Sequence, residues 1–293
     1  MSARPGSETR VRIWAAEGNG LVRRGDRLAT EEPLEVRLVA GGRHKTLAVT
    51  MRTPGADFDL AAGWLHGEGV VSGASDIARI SYCVDRELDE AQRFNVVNVE
   101  LRAPDLPDLR ALERHFFTSS ACGVCGKASL DSLRITCRTP PPPGPRVSSE
   151  VLYRLPERLR AAQGLFDSTG GLHAAAAFDQ AGELIALRED VGRHNALDKL
   201  VGWALREGRL PFGDAIVMVS GRASYEILQK CVMAGVPVVC AVSAPSSLAV
   251  DVAREFGVTL VGFLREGRFN LYVAPERITW ANDVGSQSPA PAS

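Results

Sequence analysis

Between residues 140 and 145 the chain reads Pro-Pro-Pro-Pro-Gly-Pro, and neither a helix interior nor a central strand can be drawn through it. Proline lacks a backbone N–H and fixes φ, so the run breaks both regular ladders. It is expected to act as a semi-rigid spacer, with a different texture on each side. With 293 residues there is enough chain for two cores.

Before the spacer the pattern is that of a small sheet. Val11–Trp14 and Leu34–Ala40 read as strands, and Val36, Leu38 and Ala40 share one face by alternation. Gly41-Gly42 predicts a hairpin into Lys45–Met51. Asp57–His66 carries Phe58, Leu60, Ala61, Trp64 and Leu65 at helical spacing, with Gly67 and Gly69 to stop it. Ile80–Val84 and Phe94–Leu101 follow as strands, and Asp105–Phe117 as a linking helix. The first unit is therefore expected to be a small α+β roll. Asp57 and Asp59 read as capping and dipole partners, and His66 and Glu68 as solvated groups at a helix end.

After the spacer, strands and helices alternate. The helix patterns are Val151–Ala162, Asn195–Arg206, Tyr225–Ala234 and Leu248–Phe256. The strands are His173–Phe178, Leu184–Leu187, Ala215–Val219, Val236–Val242 and Thr259–Phe263. Continuous apolar strands between helices predict an α/β layer around a largely parallel sheet. Cys231 and Cys240 fall on apolar positions and read as small core residues. The expected organisation is 1–117 as the first unit, with 1–9 a disordered tail. Residues 118–147 are the cysteine loop and proline linker, 148–281 the α/β unit, and 282–293 a disordered tail.

Two stretches carry chemistry. The first is Thr118–Leu130, where Cys122 and Cys125 form a Cys-x-x-Cys pair flanked by glycines and followed by Lys127. A thiol beside a cation or at a helix start is biased toward the reactive thiolate, and the run from Ala128 on is able to open such a helix. Three readings are open at this level. A zinc site normally needs four ligands, and no second Cys-x-x-Cys or His pair is present. A thioredoxin-like dithiol usually follows a buried strand, whereas here the preceding Leu112–Phe117 reads as a helix end. The third reading is a nucleophilic or sulfur-carrying cysteine.

The second stretch is a set of three polar clusters where strands meet helices. They are Arg188–Asn195, Ser220–Ser224 and Phe263–Arg268, the last a loop that ends a strand. Ligands of open α/β sheets sit beyond the carboxyl ends of the strands. Arg193, Arg222, Arg265 and Arg268 are suited to phosphate oxygens there. The competing reading leaves these arginines solvated or pairs them with Glu189, Asp190 and Glu266. His194 beside Asp190 fits an acid/base pair or a structural histidine equally well.

Net charge is −1, so no global field draws nucleic acid or an anionic membrane. No apolar run of about 18 residues predicts a membrane span. Six cysteines without a visible secretory signal fit a reducing compartment, and the cytoplasm is expected.

Cys-Gly-Val-Cys-Gly at 122–126, Glu-Asp-Val-Gly-Arg-His-Asn-Ala-Leu-Asp-Lys-Leu at 189–200 and Ser-Gly-Arg-Ala-Ser-Tyr-Glu at 220–226 resemble the FdhD family, as does the run Val242–Val252. The resemblance implies a homodimeric, cytoplasmic sulfurtransferase that serves formate dehydrogenase. Such a protein takes persulfide sulfur from a cysteine desulfurase. It passes it to the molybdenum (or tungsten) bis-pterin guanine dinucleotide cofactor of the catalytic subunit. It implies Cys122 and Cys125 as the catalytic pair, and Phe263, Leu264, Arg265, Glu266, Gly267 and Arg268 as the cofactor-binding segment. Arg193, Ser220 and Arg222 join these as cofactor-binding candidates. No zinc, nucleic acid or membrane partner is expected. The alternatives are a cofactor-binding chaperone without transfer, and a dithiol redox or zinc-binding protein. The resemblance also implies a C-terminal cytidine deaminase-like three-layer α/β domain beside the smaller roll. Zinc deaminases need His-x-Glu and Pro-Cys-x-x-Cys at successive helix starts. Here those starts read Arg193-His194-Asn195 and Gly221-Arg222-Ala223-Ser224, so deamination chemistry is missing.

Overall fold

A computed structural model describes residues 6–84, 90–109, 126–137 and 139–280. Cys122 and Cys125 lie outside the described residues, as do both chain ends and most of the expected linking helix. Residues 105–109 form no helix; Leu106 and Leu109 instead pack onto the core of the first unit.

The chain opens with a ribbon, β1 (Glu8–Glu17) and β2 (Gly20–Ala29). Glu8 and Thr9, expected in a tail, belong to β1 because they pair with Ala29 and Leu28. The four-stranded sheet of the first unit follows. Its strands are β3 (Glu32–Ala40), β4 (Arg43–Arg52), β5 (Ile77–Tyr82) and β6 (Val96–Leu101), in the order β4-β3-β6-β5. Helix α1 (Asp57–Gly67) crosses it and buries Leu60, Ala61 and Leu65 against Leu34, Val36, Leu38, Val97 and Val99. The period-2 face of β3 and the helical stripe of α1 thus meet as the pattern predicts. A short α2 (Glu90–Arg93) precedes β6.

Helix α3 (Gly126–Thr136) starts one residue after Cys125. Leu133 is buried, and Arg134 bonds Glu255 at 2.6 Å. The proline run then lies against the second unit rather than spanning open solvent. Pro142 sits beside Gly213, Gly144 beside Pro237, and the Pro143 carbonyl accepts from Arg277.

The second unit is built on a six-stranded sheet. In chain order come β7 (Val147–Ser148), α4 (Ser149–Ala162), α5 (Gly164–Thr169), β8 (His173–Phe178), β9 (Leu184–Asp190), α6 (Arg193–Arg206) and β10 (Ile216–Val219). Then follow α7 (Tyr225–Met233), β11 (Val238–Ala241), α8 (Ser247–Glu255), β12 (Thr259–Arg265), β13 (Arg268–Val273) and β14 (Ile278–Thr279). The large sheet runs β13-β12-β11-β10-β8-β9, and β14 pairs with β7. It is mixed, not largely parallel. Only β10, β11 and β12 pair parallel; β8 is antiparallel to both its neighbours, and β13 to β12. The short β8–β9 and β12–β13 connections dictate the direction of those two pairs, since tight turns join only antiparallel strands. The expected three layers are present. Val217, Val219, Val239 and Ala241 face α6, α7 and α8; Ile216, Met218, Val238 and Cys240 face α4. Cys231 and Cys240 are fully buried, and burial pushes both thiols up, Cys231 to about 12. They are core residues, as their positions predict.

The two units meet where α1 crosses α6. A Cβ at Gly63 would stand 1.9 Å from the Asp198 carbonyl oxygen, and one at Gly202 would stand 1.8 Å from that of Asp59. Glycine at both positions lets the backbones touch. Charged groups surround this contact. Asp59 bonds Arg188 (3.2 Å) and Arg206; Asp198 bonds Lys230 (3.0 Å); Asp190 meets Lys199 (2.7 Å). Asp57 is no simple cap: it is buried and bidentate to the fully buried Arg52. His66 is likewise buried, not solvated. Its ring nitrogens lie 3.2 Å from the Val71 carbonyl oxygen and 3.0 Å from that of Met233, and burial lowers its pKa. Sequence spacing put these groups at helix ends; Arg52 and Tyr82 of the first sheet cover Asp57, and groups of the second unit cover Asp59 and His66.

Gly63→Ala and Gly202→Ala are each expected to lower unfolding stability by about 1–3 kcal/mol or more, as overpacking does. Gly164→Ala, where nothing lies within 4 Å of the new Cβ, is the neutral control. Urea titration measures all three, and unchanged midpoints for the first two would contradict the close approach.

Candidate functional site

The register of the large sheet brings the three polar clusters to one edge. β9, β10, β11 and β12 run in the same direction and end there, and β8 and β13 begin there. Helices α6, α7 and α8 start from this edge. The N-caps Gly192 and Ser224 give no side-chain cap to α6 and α7, whereas Ser246 Oγ accepts from Ala249 N at 3.2 Å in α8. Uncapped first turns leave N–H groups and positive dipole ends facing the edge. Loop-to-loop bonds tie the crest together. Ala223 N donates to the Ala244 carbonyl, Ser246 N to Ala223, and Phe263 N to Ser243.

The first two clusters share one pocket of side chains. Gly221 lies against Arg193 Cδ and the His173 ring. Ser220 Oγ accepts from Ala174 N (2.9 Å) and stands 3.4 Å from His173 Nδ1. Arg193 Nε is buried with no partner among the described residues, and Arg222 is exposed and carries no ion pair there. The pairing of these arginines with Glu189 and Asp190 that the competing reading offered does not occur among the described residues, while the exposure of Arg222 fits its solvated alternative. Glu189 accepts from Leu165 N and Phe166 N at the start of α5. Asp190 is fully buried and takes Thr53 N, Gly192 N, Asn195 Nδ2 and Lys199 Nζ. Thr53 belongs to the first unit, and Val191 N returns a bond to its Oγ1 at 3.2 Å. The floor under Arg193 and His194 is therefore fixed from both units.

The partner of His194 is Glu226, not Asp190: Nε2 lies 2.8 Å from Glu226 Oε2 and 3.3 Å from Ser224 Oγ. The hydrogen bond to His194 holds the Glu226 carboxyl below its ordinary 4.5 against the opposing effect of burial. His173, absent from the sequence expectation, has its pKa lowered by burial and then by Arg193. Carrying the β8–β9 hairpin pattern back to its open end would have found it, since His173 pairs with Asp190.

The third cluster is a bulged hairpin rather than a loop. β12 runs to Arg265, β13 starts at Arg268, and Glu266-Gly267 make the turn with Gly267 at φ 71°. The register slips between Gly262 and Arg265, and Phe263 takes φ 52°, which turns its ring out to 43% exposure. The individual roles then separate. The Leu264 side chain is fully buried in the core, so only its backbone reaches the edge. Arg265 donates to the carbonyls of Val242 and Leu264, which makes it a brace between strand ends. Arg268 and Glu266 are exposed. A cavity of about 850 Å3, lined by Pro142, Asp179, Arg209, Phe212 and Asp214, opens at the opposite edge and holds none of these residues. Among the described residues no group of three or more His, Cys, Asp or Glu side chains is placed to hold a metal ion, and no helix is long and apolar enough to cross a membrane. In His194→Ala the Glu226 carboxyl is expected to titrate closer to 4.5. A 13C NMR titration checks this, and an unmoved midpoint would contradict the pair.

Comparison with known proteins agrees with this architecture. A crystal structure described as that of a formate dehydrogenase accessory protein from Desulfotalea psychrophila superposes with a TM-score of 0.71, at 24% identity, over 93% of this chain and 99% of that one. A protein named sulfur carrier protein FdhD from Streptomyces avermitilis is 56% identical over 262 residues, covering 87% of this chain and 90% of that relative. A protein of the same name from Sulfurisphaera tokodaii is 45% identical over 270 residues, covering 92% and 98%. The sequence model of the FdhD/NarQ family matches residues 29–279. The chain belongs to the FdhD/NarQ family.

Proposed function

We propose that this chain is a sulfur carrier, with sulfurtransferase activity, for the maturation of formate dehydrogenase. It receives sulfane sulfur from a cysteine desulfurase as a persulfide on Cys122. It delivers that sulfur to a molybdenum (or tungsten) bis-pterin guanine dinucleotide destined for the catalytic subunit. It works as a homodimer in the cytoplasm. The observation that carries the reading is the convergence of Arg193, Ser220, Arg222 and the Phe263–Arg268 hairpin on one strand-end edge, together with uncapped helix starts. The names of the relatives support the sulfur step.

The chemistry balances without an external oxidant. The Cys122 thiolate attacks the terminal sulfur of the donor persulfide. The donor S–S bond breaks, its cysteine leaves as a thiolate, and Cys122 carries the new S–S bond. Attack of Cys125 on Cys122 would release the sulfur as hydrosulfide and close a disulfide. The cargo is anionic at its pyrophosphates. Guanidinium forks at Arg222, Arg268 and Arg193 suit those oxygens, uncapped helix starts add to the field, and the exposed Phe263 ring offers a face for a base. Glu266 would repel a phosphate, so the phosphates are assigned to the Arg193–Arg222 side and the base to Phe263.

Incubation with desulfurase and cysteine is expected to add one sulfur to Cys122, read by peptide mass spectrometry, and Cys122→Ala should abolish transfer. Unmodified Cys122 and Cys125, with normal transfer by Cys122→Ala, would refute the carrier role. Restoration of formate dehydrogenase activity by the double alanine variant would point instead to a chaperone that shelters the cofactor. With GDP as probe, Arg222→Ala is expected to weaken binding about tenfold, or about 1.4 kcal/mol. Calorimetry that shows equal affinity would remove the edge as the binding site.

A further inference from the structure

The β1–β2 ribbon pairs with neither large sheet, and Ser168 of α5 lies beside Gly25–Arg27. Its strands pair only with each other among the described residues, and Gly20–Leu28 are all exposed. A lone two-stranded hairpin is marginal in water, and an open strand edge accepts a further strand. The register fixes what that edge offers. Glu17 faces Gly20 across the turn, and Thr30 N donates to the Ser7 carbonyl at 2.9 Å. Hydrogen-bonded pairs alternate along an antiparallel ladder. Residues 20, 22, 24, 26 and 28 therefore spend their backbone groups on β1, while Leu21, Arg23, Gly25 and Arg27 turn theirs outward.

We propose that β2 pairs edge to edge, antiparallel, with β2 of a second copy, with the two-fold axis at Gly25. The result is a continuous four-stranded sheet, β1-β2 of one protomer followed by β2-β1 of its partner. The proposal rests on the homodimer of the proposed function and adds where the two copies meet. In this register the stretch Val22–Leu28 is self-complementary. Val22 faces the partner's Leu28, and Arg24, which lies 3.4 Å from Glu17 of its own chain, faces the partner's Asp26, each pair occurring twice. Both fall at non-hydrogen-bonded positions, where facing side chains are closest. Val22 is 48% and Leu28 46% exposed without a partner strand, so both have area to bury. These residues lie on the same face as Val11, Ile13 and Ala15, and the apolar face continues across the axis. Gly25 presents no side chain there, and space for a Cβ is open. On the other face Arg23 meets the partner's Arg27. Each is already engaged: Arg27 pairs with Glu8 at 3.3 Å, and Arg23 lies 4.8 Å above the Trp14 ring. An axis at Arg23 or Arg27 would instead set arginine on arginine at the centre and lose both Arg24–Asp26 pairs.

The test uses the full chain. Sedimentation equilibrium is expected to show a dimer whose dissociation constant rises at least tenfold in R24D and in D26R. The double variant R24D/D26R, which exchanges the two charges, should recover the dimer. In G25C, facing Cα atoms about 5.5 Å apart are within disulfide reach, so mild oxidation should link position 25 of the two copies, identified by peptide mapping. A wild-type chain that stays monomeric would overturn the homodimer and the ribbon contact together. A dimer unaffected by R24D and D26R, with no link at position 25, would overturn the ribbon contact alone.

Discussion

The backbone contact of α1 and α6 at Gly63 and Gly202 sets the position of everything else. The helices come so close that carbonyl oxygens of one occupy the space where side chains of the other would start. That approach takes Asp59, Asp190, Asp198, Lys199 and Lys230 out of water. Buried charge is costly unless paired and hydrogen-bonded. Partners for Asp59 and Asp190 come from both units: Arg188 and Arg206 for the first, Thr53 for the second. Sliding one helix past the other would leave carboxylates unpaired, so a single relative placement is favoured over its neighbours.

The strand-end edge inherits this rigidity. Arg193 and His194 occupy the first turn of α6, three and four residues past the Asp190 that Thr53 and Lys199 hold. Arg193 is thus presented by a helix that both cores clamp, while Arg222 on its turn and Arg268 at the start of β13 are exposed. The His194–Glu226 pair lies on the same rim.

Much of the fold could be read from periodicity. The stripe Ala196, Leu197, Leu200, Val201, Ala204 and Leu205 became the buried face of α6, and the apolar strands Ile216–Val219 and Val238–Ala241 became the sheet centre. The β8–β9 hairpin was legible from the turn at Gln180–Gly182, but the antiparallel placement of β8 beside β10 was not, because short apolar strands look alike in parallel and antiparallel sheets. β2 escaped as well: Gly20–Ala29 has four charges and two exposed faces, so it lacks the one-sided alternation that marks a half-buried strand. The site was legible as residue types and places. Its pairings were not, and Asp190 and Leu264 went to the interior although their neighbours face the edge.

By itself the sequence determined most of the element types, the core stripes, the family and the cysteine pair, because these rest on spacing along the chain. Only the tertiary structure decided that Asp57, Asp59 and His66 are buried, that His194 answers to Glu226, and that Arg265 braces two strand ends. Those outcomes depend on which surface covers a residue, and that surface comes from segments tens to more than a hundred residues away.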